Sequence, residues 1–153
     1  MSRAHIECAS DDVRWVETEG SILVPATRCV VITIGLQLKS QGQWSHNWRA
    51  IYGRTQQIRK RVSWTLSLIS ELAVLTFLGD VRAIKLIRLA PRRIEKHDNL
   101  PIVFKPVVDQ VTCWLAHDNR PNARARDGEK DGYTFTHHQQ KQHAYGARVE
   151  LWP

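Results

Sequence analysis

The sequence predicts an α/β fold: a single small domain with a mixed sheet and two main helices, in the order β-α-β-α-β-β behind an N-terminal extension. Three observations carry this. The chain has 153 residues, 42% of them hydrophobic, which suffices for one core but not for two independent domains. The runs CVVITIGLQL and AIKLIRLA are short and rich in β-branched residues, as strands are. Between and after them, apolar residues recur at three- and four-residue steps over several turns, the period of a helix packed on a sheet.

Residues 1–28 form the extension, a weakly structured stretch or a short added strand, with Val13, Trp15, Ile22 and Val24 scattered before Pro25. The domain proper spans residues 29–153. Its first strand starts at Cys29 and gives way to the loop KSQGQ. Ser45 then caps a long helix whose apolar stripe runs through Trp48, Ile51, Tyr52, Ile58, Val62, Leu66, Ile69 and Ala73, with Gly53 as its weak point. AIKLIRLA is the next strand, stopped by Pro91. Asp98 caps the second helix, Pro101 sits in its first turn, and Leu100, Phe104, Val107, Val108, Val111 and Leu115 make its buried face. Pro106 is expected to kink it. A basic loop near 119–130 leads to YTFTHH and YGARVELW, read as a closing pair of strands joined across a polar turn.

No window approaches the length of apolar sequence that a membrane span needs, and the first residues are polar and mixed in charge, so a soluble cytoplasmic protein is expected. Cys8, Cys29 and Cys113 are odd in number and far apart, which reads as reduced packing residues. The net charge of +7 and a pI near 9.7 favour a polyanionic partner. Between Lys39 and Ser70 the chain carries Lys39, Arg49, Arg54, Arg59, Lys60 and Arg61 and no acid. Arg49, Arg54, Lys60 and Arg61, with Arg92 and Arg93 ahead of the second helix, are therefore the candidate DNA-binding residues.

On the second helix Asp98, Lys105 and Asp109 fall on one side, at separations of seven and eleven positions. One reading is a solvated face with an i,i+4 Lys–Asp pair. The other is a phosphodiesterase site in which Glu95, Asp98, Asp109 and Asp118 supply hard oxygen ligands for Mg²⁺ and Lys105 contacts phosphate.

The run APRRIEKHDNLPIVFKPVVDQVTCWLAHDN resembles the RusA family of Holliday junction resolvases, in its phage-type members. The D-N-L start, Lys105, Asp109 and an acid after the helix carry the likeness. It continues into YTFTHHQQKQHAYGARVELW and back through QWSHNWRAIYGRTQQIRKR, so it covers about residues 29–152. The resemblance implies a homodimer that recognises four-way DNA junctions and resolves them by paired nicks with Mg²⁺ or Mn²⁺. Asp98, Lys105, Asp109 and Asp118 are then the catalytic positions, with Asp98, Asp118 and Glu95 as metal ligands. Two positions depart from the family: Lys96 stands where an aspartate is common, and Asn119 where the second of two paired acids is found. A cation and an uncharged amide both weaken a site for a divalent ion. Glu95 could substitute for the missing acid, and Asp127 or Asp131 could replace Asp118.

Three functions follow as expectations: a metal-dependent junction endonuclease, a relative that binds branched DNA without cutting it, and a basic interaction protein with no DNA role. His137 and His138 point to opposite faces of a strand, which disfavours a shared metal ion with His143. Trp48, Trp64 and Trp114 read as core residues.

Overall fold

In a computed structural model of the chain, residues 5–8, 11–18, 27–39, 47–94, 96–124 and 132–153 are described, with backbone alone for 5–8, 11–18, 27 and 96–99. The elements are β1 (His5–Cys8), β2 (Asp11–Thr18), β3 (Thr27–Ile34), α1 (Trp48–Ser67), α2 (Glu71–Leu78), β4 (Ala83–Ala90), α3 (Lys96–Leu115), β5 (Thr134–Lys141) and β6 (Gly146–Trp152). The strands form one sheet in the order β1-β2-β3-β6-β4-β5, antiparallel throughout except for the parallel β4–β5 pair. This is the α/β fold with a mixed sheet that the periodicities imply. The extension contributes two strands, β1 and β2, which continue the sheet beyond β3.

Three local expectations change. The first helix is capped by Asn47, whose Oδ1 accepts from Arg49 N at 3.0 Å; Ser45 lies outside the described residues. It ends at Ser67, and Ser70 starts a separate short helix, α2, by accepting from Ala73 N at 3.2 Å. The second long helix begins at Lys96, so Asp98 lies inside it, and it runs on through Pro106. Finally, β5 and β6 are not neighbours, because β4 lies between them. Pro91 ends β4, Gln142 N donates to Ala90 O at 3.0 Å, and residues 142–145 pass across the end of that strand. Gly146 then enters where a Cβ would lie 3.3 Å from both Ile34 O and Leu89 Cδ1.

A parallel β4–β5 pair requires a crossover, and α3 provides it. The helix must run back against the strand direction. Its Lys96 end is therefore beside the ends of β4 and β5, where Gln139 exchanges hydrogen bonds with the Ile94 backbone at 3.0 and 2.7 Å. Its Leu115 end is at their beginnings. The core lies between the helices and one sheet face, along which Ile32, Val149 and Leu86 form a fully buried row across β3, β6 and β4. Phe104, Trp114 and Leu66 fill it from the helices, each buried side chain contributing about 2 kcal/mol. Among the described residues no single helix is long and apolar enough to cross a membrane.

Where α1 meets α3 the core contains a charge. Arg59 is 8% exposed; its Nε donates to Gln110 Oε1 at 3.2 Å and its Nη2 to Ala123 O at 2.9 Å. Gln110, fully buried, donates to Asn119 Oδ1 at 2.9 Å and Asn119 O at 3.0 Å. Asn119 Nδ2 donates to Ser63 O at 2.8 Å, and Ser63 Oγ returns a bond to Asn119 O at 2.6 Å. The network joins both long helices and the 118–124 segment through polar groups withheld from water, so each needs its partner. Gln110→Leu leaves Arg59 Nε and Asn119 Oδ1 without theirs, and we expect it to cost about 3 kcal/mol in urea denaturation; a loss within the scatter of surface substitutions would show the network to be dispensable.

Candidate functional site

Among the described residues, the positions of Asp98, Asp109 and Asp118 are spread along α3 and do not come together within one chain. Asp98 lies in the first turn of α3 and Asp118 just past its last, and at 1.5 Å per residue the two ends of that span are roughly 25 Å apart. Two carboxylates on one Mg²⁺ place their oxygens about 3 Å apart. One chain therefore holds Asp98 and Asp118 too far apart to share an ion. The side chains of Asp98 and Lys96, and the whole of Glu95, Asp127 and Asp131, lie outside the described residues. Asp109 is roughly 16 Å along the helix from Asp98.

The described acids are already engaged. Lys105 Nζ lies 2.8 Å from Asp109 Oδ1, an i,i+4 pair in which Lys105 is exposed but Asp109 is half-buried, and that carboxylate oxygen, shielded from solvent, gains no directed hydrogen bond from it. Asp118 receives the Arg120 guanidinium in two parallel bonds, Nε to Oδ1 and Nη2 to Oδ2, both 2.7 Å. Asn119 belongs to the Arg59 network.

The turn that carries these residues is fixed by α3 itself. Asp118 N donates to Cys113 O and His117 N to Trp114 O, both at 2.9 Å, a Schellman ending. His117 takes the left-handed position with φ 63°, where glycine is usual. Its Nδ1 lies 3.3 Å from Glu71 Oε1, tying the turn to α2. The backbone hydrogen bond at Glu71, reinforced by His117, holds that carboxyl below its ordinary value.

The cations are more open. Arg49 and Lys60 on α1, and Arg92 and Arg93 after β4, are exposed; Arg54 and Arg61 are half-buried, and Arg61 Nε donates to Gly35 O at 3.3 Å. Arg59, the sixth cation of the acid-free segment, is the buried one. Three aromatics expected in the core stand among them. Trp48 is 69%, Tyr52 60% and Trp64 51% exposed, while Trp114 is buried as expected. Arg49 stacks over Trp48 at 5.5 Å and Arg61 over Trp64 at 5.1 Å. The core uses Ile58, Val62 and Leu66, and the second series, Trp48, Tyr52 and Trp64, is interleaved with arginines, the available sign of a surface.

On β5, side chains alternate as expected. His137 faces α3, its ring centroid 5.9 Å from that of Phe104, and His138 is exposed, so the two do not converge. No family model, curated protein or solved structure matches the chain.

Burial, with the nearby His138 charge, pushes His137 below the ordinary histidine value of 6.5. The unfolded chain then takes the proton more readily, so stability present above pH 6.5 declines as the pH falls below it. NMR titration is expected to give a His137 midpoint under 6.5, and His137→Gln to lessen the loss of stability below that pH. A midpoint at or above 6.5 would contradict the buried placement against Phe104.

Proposed function

We propose that the chain binds branched DNA without cutting it. The branched substrate, and a homodimeric state, come from the resemblance to RusA-type resolvases. The absence of cutting is supported by one observation above all: Asp98 and Asp118 are at opposite ends of α3, and Asp118 is held by Arg120. Binding is supported by the acid-free stretch between Lys39 and Ser70, whose Arg49 and Lys60 are exposed on α1. Phosphate contacts of this kind supply affinity without reading sequence, and they weaken as salt displaces the protein.

A four-way junction titrated with the protein in EDTA is expected to be retained, with affinity falling steeply as salt is raised. Arg49→Ala with Lys60→Ala is expected to weaken binding and flatten that salt dependence by about two counterions. Addition of Mg²⁺ or Mn²⁺ is expected to yield no nicked product. Paired nicks that vanish in Asp98→Asn would restore the junction endonuclease reading, and lack of any salt-dependent DNA affinity would overturn both.

A further inference from the structure

The exposed aromatics of α1 lie on one ridge. Trp48, Tyr52, Gln56, Lys60, Trp64 and Leu68 are each four residues apart, so successive members rise about 6 Å and turn about 40°, and the row winds about 160° around α1 from Trp48 to Trp64. Leu68, the residue that ends α1, is 46% exposed like the aromatics before it. The ridge thus begins with two rings, passes an amide and an ammonium, and ends with an indole and a leucine. Scattered apolar side chains on a surface require no explanation, but three large exposed aromatics interleaved with cations along one winding row of a single helix do.

We propose that this ridge is a stacking track for unpaired nucleotides, and that the protein therefore favours single-stranded nucleic acid over continuous duplex. The inference rests on the nucleic-acid reading above and names the part of the ligand that α1 takes. Each indole has a guanidinium over it, Arg49 on Trp48 and Arg61 on Trp64, yet remains more than half exposed. The cation steadies the ring and sets a positive charge beside it, which suits a base followed by its phosphate. Lys60 and Gln56 interrupt the apolar surface midway, as an apolar partner helix would not require. The segment's charge points the same way: with Arg59 buried, five cations and no acid remain between Lys39 and Ser70 to complement a polyanion. Bases inside a duplex are already stacked, so only unpaired ones can occupy the rings, and without discrimination by sequence because every base has a π face.

The test compares the full chain binding fluorescently labelled oligothymidylate and a random duplex of equal length. The wild type is expected to bind the single strand more tightly. Trp48→Ala and Trp64→Ala are each expected to weaken oligothymidylate binding roughly tenfold. Trp48→Phe and Trp64→Phe should retain most of the affinity, and duplex binding by the alanine variants should stay near the wild-type value. Alanine variants that bind oligothymidylate as the wild type does, or that lose single-strand and duplex affinity by the same factor, would overturn the ridge while leaving the nucleic-acid reading standing. A wild-type protein with no salt-dependent affinity for either probe would overturn the ridge and that reading together.

Discussion

The buried guanidinium of Arg59 constrains more of this molecule than any other single group. A charge withdrawn from water costs several kcal/mol unless its donors are met, and here they are met by neutral acceptors on α3 and on the segment after it, Gln110 Oε1 and Ala123 O. Gln110 in turn holds Asn119, which holds Ser63 back on α1. The circuit closes only if both helices and the turn are in place together. It fixes which face of α1 is buried, and by exclusion which face meets solvent.

That choice of face orders the electrostatics. The residues of α1 that pack inward are Ile58, Val62 and Leu66 beside Arg59, leaving Lys60 and Trp64 outward. On α3 the same clamp takes Asn119 inward, while Asp118 turns to Arg120 at the helix end. The topology adds the rest. Because α3 is the crossover between parallel strands, its two ends are at opposite ends of the sheet, and acids placed at each cannot act together within one chain. The molecule thus presents exposed positive charge on α1, at Arg49 and Lys60, and paired carboxylates toward the end of α3.

Much of the fold was legible in the sequence. The β-branched runs of β3 and β4 and the periodic faces of the long helices follow directly from local composition. What was not legible depended on contacts between distant residues. The break after Ser67 could have been read from Ser70 followed by Glu71, a capping serine with an acid in the first turn. Nothing local announced that β4 would separate β5 from β6, since strand order is set by how the core row Ile32, Val149 and Leu86 is assembled. The separation of Asp98 and Asp118 was legible as well, because a helix between them at 1.5 Å per residue sets them roughly 25 Å apart. The candidate cations were legible as a charge run, but Arg59 was indistinguishable from Lys60 until the helix face was known.

The most direct measurement is an NMR titration of the full chain with a four-way junction in the presence of Mn²⁺. Expected are amide shifts along α1 from Trp48 to Leu68, with no Mn²⁺-induced broadening shared by the two ends of α3. Shifts that bypass α1, together with manganese broadening that centres on Asp98 and Asp118 at once, would contradict the account.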